Sequence, residues 1–290
     1  MRITENAMWQ QMTDAVGDAR TKVADAGKVM QTGIRVDRPS EDLAGWGQGE
    51  RAAVRQAMSQ QRGNAIAAAR DSLSQTDGAL ANISSSLTRL NELTVQAANG
   101  TLSASDRSAL VYEVQQLRDV TLAAANQKGL DGSYLLGGSV ANVAPFSSSG
   151  AWQGDTKTRT IETSESTSAS VAVSGQGLTA ASGVDVFGLF DSIETALGAN
   201  DQATLQASLP SVQQAIAQVA SMRTEAGSRI SALDGADSAR QGFELALSQN
   251  HARAVEADPV VAASNLTAAG NALNAARAAT SQILSLLQNG

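Results

Sequence analysis

Apolar side chains recur along much of this chain at alternating intervals of three and four residues. That spacing lines up one narrow stripe of an α-helix. The first stripe runs through Met12, Val16, Ala19, Val23, Ala26 and Met30, and Asp14, Asp18, Arg20, Lys22, Asp25 and Lys28 lie between them on the faces left to solvent. It is the a/d pattern of a coiled-coil seam. A helix carrying it needs an apolar partner, because an isolated helix is marginal in water. Gly33 and Pro39 end this element near Gln31.

The second and longest periodic segment is a helix predicted from about Glu50 to Asn99. Its stripe is Ile66, Ala69, Leu73, Thr76, Leu80, Ile83, Leu87, Leu90, Thr94 and Ala97. At ~1.5 Å per residue this helix is roughly 70 Å long, too long for an ordinary compact domain, so the pattern predicts a rod. Asn99-Gly100 closes it. Ser103 with Asp106 three residues on resembles a capping box, and it opens a helix whose apolar face is Leu110, Val114, Leu117, Thr121 and Ala124. Helical period returns at Val186, Phe190, Ile193 and Leu197, closed by Gly198. It continues through Leu205, Leu209, Val212, Ile216, Val219, Ala226, Ile230 and Leu233 after a cap at Asn200 or Asp201. Pro210 lies inside that run and predicts a kink or a restart. The last stripe, beyond a break at Glu256, Asp258 and Pro259, is Leu266, Ala269, Leu273, Ala276, Thr280, Ile283 and Leu287.

Between the stripes the pattern changes. Residues 33–49 combine a mixed-charge patch (Arg35, Asp37, Arg38, Glu41, Asp42) with Gly45, Gly47 and Gly49, and read as an irregular connector. The charges there fit either a solvated loop or an ion-paired joint. Residues 139–184 are dominated by Ser, Thr and Gly with short alternations at 157–161 and 170–173. They predict a small, exposed, polar β-rich insert, with disorder as the alternative.

The order of elements is mirrored about that insert, which makes the closing stripe the expected partner of the opening one. The expected fold class is mainly α: an elongated rod of long coiled-coil and bundle helices with paired N- and C-terminal helices and a small β-rich insert. Its parts are a terminal coiled-coil domain (1–32 and 260–290), joints (33–49 and 250–259), a helical bundle (50–138 and 185–249) and the insert (139–184).

Composition sharpens this picture. Aromatics are only 3% against 42% hydrophobic residues overall, which suits long helical assemblies. A net charge of −7, with no basic run, argues against nucleic acid as a partner. No apolar run approaches the ~18 residues of a membrane span, and the N-terminus lacks the pattern of a cleaved signal peptide. After Asp258 the only charged side chain is Arg277, so the closing helix is polar but almost uncharged outside its stripe. That suits burial in an assembly or the lining of a polar channel.

Candidate chemistry is sparse. There is no cysteine, and the single histidine, His251, is followed by Ala252-Arg253, which excludes a His-Glu-x-x-His zinc pair. The glycines at 45, 47 and 49 open no βαβ unit, and Gly154-Asp155 carries too few acids for a calcium loop. No catalytic, cofactor-binding or metal-ligating constellation emerges, and the chain reads as a non-enzyme.

Several motifs resemble those of the bacterial flagellin superfamily. They are Met1-Arg2-Ile3-Thr4, Thr32-Gly33-Ile34-Arg35-Val36-Asp37-Arg38-Pro39-Ser40-Glu41-Asp42, Val95-Gln96-Ala97-Ala98-Asn99-Gly100-Thr101-Leu102-Ser103 with Asp106-Arg107, and Ile283-Leu284-Ser285-Leu286-Leu287. Gly132-Ser133-Tyr134-Leu135-Leu136-Gly137-Gly138 and Trp152-Gln153-Gly154-Asp155 resemble the members that sit at the junction of hook and filament. The resemblance implies a structural role in the flagellum, joining the hook-associated zone to the filament by helical subunit packing. A small flagellin, the bulk filament subunit, is the alternative, and a cytoplasmic coiled-coil scaffold is the reading from another class. The implied partners are further copies of the chain, hook-associated protein 1, flagellin, an export chaperone and the type III export apparatus, with no nucleic acid, no membrane insertion and no cofactor. The implied location is the extracellular flagellum, reached without a cleaved signal peptide. The candidate assembly interface comprises Met12, Val16, Val23 and Met30 of the opening seam, Arg35, Arg38 and Asp42 of the joint, and Leu266, Leu273, Ile283 and Leu287 of the closing seam.

Overall fold

A computed structural model describes residues 2–100, 102–140 and 142–288; the side chains of residues 2–6, 284 and 286–288 lie outside the described set. The described residues form six α-helices, α1 (Arg2–Thr32), α2 (Leu43–Ala98), α3 (Ala104–Ala125), α4 (Val186–Gly198), α5 (Gln202–Val255) and α6 (Pro259–Gln288). Strands β1 (Thr160–Glu162) and β2 (Ser168–Ser170) pair antiparallel, with Ile161 opposite Ala169. The fold is mainly helical, and none of its described helices is long and apolar enough to cross a membrane. The chain divides into two compact units, residues 1–58 with 243–290, and residues 59–242.

In the unit of residues 59–242, the three-four stripe of α2 is the spine of the core. Leu73, Leu80, Ile83, Leu87, Leu90 and Ala97 have at most 1% of their surface exposed, and Thr76 and Thr94 hold the same seam. Each threonine returns its hydroxyl to the carbonyl four residues back, Ser72 O at 2.8 Å and Leu90 O at 2.7 Å. That internal bond removes the cost of burying a hydroxyl. Opposite lie Leu205, Val212, Val219, Ala226 and Leu233 of α5, with Phe187, Phe190, Ile193 and Leu197 of α4, all buried in one cluster. Two ion pairs join α2 to α5 beside this seam, Arg70 to Asp234 at 3.3 Å and Arg223 to Asp77 at 2.8 Å. Helix α5 continues through Pro210.

Segment 139–184 departs from the exposed, polar insert that its composition suggests. Among the described residues its only strands are the two three-residue ones, and Phe146, Val171, Val173 and Leu178 are buried in the same cluster as α2. Ser, Thr and Gly cover the surface of this segment while a few apolar residues anchor it. Asp155 closes the arrangement by accepting the Ser139 backbone N–H at 2.7 Å, which brings the 132–138 and 152–155 motifs together.

The turn after α2 is held by one cation. The Ser103–Asp106 capping box forms as expected at the start of α3. Next to it Arg107, 5% exposed, donates to the carbonyls of Ala97 (2.9 Å) and Asn99 (3.0 Å) and to Asn200 Oδ1 (2.6 Å). It thereby satisfies carbonyls at the end of α2 that no helical N–H can reach. It also fixes Asn200, which sits at φ 56° in the α4–α5 turn. Arg107→Ala removes all three bonds, the one to the Ala97 carbonyl from a buried position. We expect it to lower stability by about 3 kcal/mol, measured as a fall in the urea midpoint of the full chain with an unchanged slope.

Candidate assembly interface

In the unit of residues 1–58 and 243–290, α1 packs along α6. The seams expected to pair do face inward, but they are covered only in part. Ala19 is buried; Met12, Val16, Val23 and Ala26 of α1 and Leu266, Ala269, Leu273, Ala276, Thr280 and Ile283 of α6 are half-buried. Met30 stands 45% exposed at the end of the stripe. The Leu287 side chain lies outside the described residues. Two helices alone shield one stripe each and leave the flanks of that stripe wet. Met8 and Trp9, each 45% exposed, and Val260 and Val261, 77% and 55% exposed, add further uncovered apolar surface to the pair.

The joint places Arg35 between two helix ends. Its guanidinium donates to the Ala254 carbonyl at 2.8 Å, at the C-terminus of α5, where the helix dipole favours a cation. The same group lies 3.3 Å from Asp42. Asp42 in turn caps α2, its Oδ1 accepting the Gly45 N–H at 2.9 Å. Backbone bonds run alongside: Arg35 and Val36 both donate to the Val255 carbonyl (2.7 and 3.1 Å), and Ala257 donates to the Gly33 carbonyl (2.8 Å). Val36, Ala254 and Val255 form a small buried cluster with Trp46 against it. Asp258 caps α6 by accepting from Val260 N at 2.8 Å.

Arg38 is less engaged than Arg35. Its side chain is 63% exposed and 3.6 Å from Glu41, whose carboxylate also accepts the backbone N–H groups of Asp37 and Arg38. Lys28 of α1 forms an ion pair with Asp37. Lys28 and Glu41 are therefore parts of the joint beyond the residues picked from sequence. Glu41 was visible as one of a run of charges, whereas Lys28 carried no distinguishing signal.

The expected irregular connector at 33–49 is shorter in the structure, since α2 begins at Leu43 and includes all three glycines. Close packing explains two of them. A Cβ at Gly45 would sit 2.9 Å from the Ala254 carbonyl oxygen, and one at Gly49 would sit 2.6 Å from Val255 Cγ1. These glycines let the start of α2 approach the end of α5 rather than break the helix. Among the described residues, no three His, Cys, Asp or Glu side chains converge to hold a metal ion.

Both joint aspartates titrate below the ordinary 3.8, Asp37 through the Lys28 ammonium bonded to it and Asp42 through the Gly45 N–H and then Arg35. A carboxylate with a lowered folded-state pKa stabilises the fold above the unfolded value and loses that contribution as pH falls through the folded one. The Gly45 amide resonance should therefore hold constant above the ordinary carboxylate range and shift only at more acid pH. Asp42→Asn should abolish that shift.

The comparisons with known proteins follow the same architecture. The model of the bacterial flagellin N-terminal helical region matches residues 3–141. Flagellar hook-associated protein 3 of Escherichia coli K12 is 26% identical over 282 residues, spanning 89% of this chain and 89% of that protein. The protein of the same name from Salmonella typhimurium is 30% identical over 161 residues, 55% of this chain and 51% of its own length. The solved flagellar hook-associated protein-3 of Legionella pneumophila shares the fold. Its TM-score is 0.62 at 19% identity, over 69% of this chain and 97% of that one. The motifs at residues 32–42 and 95–107, the helical architecture and these relatives agree: the chain resembles the bacterial flagellin superfamily over its N-terminal half and, along most of its length, flagellar hook-associated protein 3.

Proposed function

We propose that this chain is a structural protein of the bacterial flagellum, placed where the hook-associated zone meets the flagellin filament and acting through helix packing rather than chemistry. The observation that carries this reading is the incomplete cover of the α1–α6 pair. Its two seams are half-buried, with exposed Met8, Trp9, Met30, Val260 and Val261 around them. Apolar surface of this kind is stabilised when neighbouring copies cover it, at ~25 cal/mol per Å² removed from water. The near absence of charge on α6, with Arg277 alone after Asp258, favours its burial among such neighbours.

The partners in this reading are further copies of the chain, hook-associated protein 1 on the hook side and flagellin on the filament side. Export proceeds as an unfolded chain through the flagellar type III apparatus with the help of a chaperone, and the working location is the extracellular flagellum. Arg35, Arg38 and Asp42 set the angle at which the terminal pair meets its neighbours, while Met12, Val16, Val23, Leu266, Leu273, Ile283 and Leu287 supply the packing.

Cells lacking the chain are expected to make hooks that shed flagellin into the medium. A chain without residues 1–31 should keep the cooperative melting of the 59–242 unit yet restore no attached filaments, scored by electron microscopy of the complemented cells. Normal filaments from that truncation would overturn the reading. Elongation of the purified protein into long filaments on added seeds would assign it instead to the bulk filament subunit.

A further inference from the structure

The turn that ends α2 carries a reactive dipeptide beside the Arg107 clasp. Asn99 is followed by Gly100, and both are exposed beyond the last helical residue, Ala98. The chain has one other Asn-Gly pair, at 289–290, which lies outside the described residues. In such a pair the glycine nitrogen can reach the asparagine side-chain carbon, because the glycine carries no Cβ to obstruct the approach. A Cβ built at Gly100 would meet the Gln202 amide no nearer than 3.6 Å, so little crowds the turn. Among the described residues, neither the Gly100 N–H nor the Asn99 side-chain amide makes a hydrogen bond. The Asn99 backbone oxygen, in contrast, is held. Arg107 Nη2 donates to it at 3.0 Å, and the Leu102 N–H approaches it at 3.5 Å. This oxygen belongs to the same peptide unit as the Gly100 nitrogen, and resonance spreads charge over the N, C and O atoms of that unit. Removing the Gly100 proton therefore places negative charge on the oxygen that the guanidinium touches.

We propose that Asn99 is a self-modification site, converted to isoaspartate by ring closure onto Gly100 under the charge of Arg107. Hydroxide takes the Gly100 N–H proton. The nitrogen then bonds to Asn99 Cγ, the Cγ–Nδ2 bond breaks, and ammonia leaves with a proton from water, which closes a succinimide. Water adds to the Asn99 backbone carbonyl carbon, and the bond from that carbon to the Gly100 nitrogen breaks. The chain now runs through Cγ, and the former backbone carbonyl is a free carboxylate. One water is consumed and one ammonia released. Arg107 acts in both steps. In the first it stabilises the amide anion, as a fixed donor aimed at developing charge does. In the second it draws electron density from the carbonyl it holds, which directs water there and not to Cγ. The clasp restrains the backbone oxygen while the exposed Asn99 side chain swings to the nitrogen. The product carboxylate stays on the guanidinium, so a contact with a neutral oxygen becomes a charge-assisted one. The turn thus gains an ion pair as the protein ages.

Incubation of the purified full chain at neutral pH tests this, read by peptide mass spectrometry and by isoaspartyl methyltransferase labelling. Isoaspartate is expected to accumulate at position 99 of the folded chain. Arg107→Gln keeps a donor but removes the charge. It should slow conversion about tenfold, less than an enclosed oxyanion site loses with one donor, because this turn borders water. Arg107→Lys keeps the charge and should retain most of the wild-type rate. A clasp that only rigidified the turn would give the opposite sign, since loosening it would speed conversion. Far-UV circular dichroism at the incubation temperature shows whether each variant is folded. A measurement on the wild-type chain stands beside the variants, the exchange of the Gly100 amide hydrogen followed by NMR. An unbonded N–H acidified by Arg107 should exchange at least as fast as in the same chain unfolded in urea. Four results would each overturn the proposal: Asn99 unconverted in the folded chain, conversion undiminished in folded Arg107→Gln, Arg107→Lys as slow as Arg107→Gln, or a protected Gly100 amide.

Discussion

A helical stripe that repeats every three and four residues is a demand for cover, and the two units of this chain meet that demand to different degrees. Where α2 faces α4 and α5, the demand is met within the chain. Leu73 to Ala97 have almost no exposed surface, and even the threonines in the seam bond internally. Where α1 faces α6, one helix per side leaves most seam positions half-wet. The same sequence rule thus produces a finished core in one place and an unfinished one in another. The difference is the number of helices that share the stripe, not the quality of the stripe.

Much of this was legible from residues alone. The stripe positions on α2, α3, α4 and α5, the pairing of the chain's two ends, the Ser103–Asp106 cap and the Asp201 cap on Thr204 N all follow from periodicity and capping chemistry. What periodicity misses is tertiary. Gly45 and Gly49 read as helix breakers because propensity counts only the missing side chain, whereas the structure uses that absence for contact with Ala254 and Val255. Composition likewise hides Phe146, Val171, Val173 and Leu178, four buried residues in a segment rich in serine and threonine. Arg107 belongs to a recognisable motif, yet nothing in its neighbours announces a buried cation serving two carbonyls and an asparagine. Of the candidate interface, the sequence located both seams and the charged joint. It did not separate Arg35, which bridges two helix ends, from Arg38, which stays at the surface.

Electrostatics and packing divide their work in the terminal unit. Apolar contact brings α1 to α6 without specifying much beyond the stripe. Charged and capping groups are concentrated in residues 28–45 and 254–261, where Lys28, Arg35, Asp37, Asp42 and Asp258 each fix a helix end or a turn. Exposed ion pairs contribute little individually, so the joint depends on the backbone bonds and the Val36 cluster beneath them. This arrangement lets the ends of the helices be set locally while their lengths remain open to other surfaces.

The backbone contacts of the joint also have a mechanical meaning. Ile34 pairs with Glu256 as an antiparallel bridge, flanked by the bonds from Arg35 and Val36 to Val255 and from Ala257 to Gly33. Antiparallel bonds run perpendicular to the strands. A pull along α1 therefore loads the three flanking bonds together in shear instead of peeling them one by one. A load carried along α1 is thus shared among these few residues, at a bridge shorter than any of the described helices.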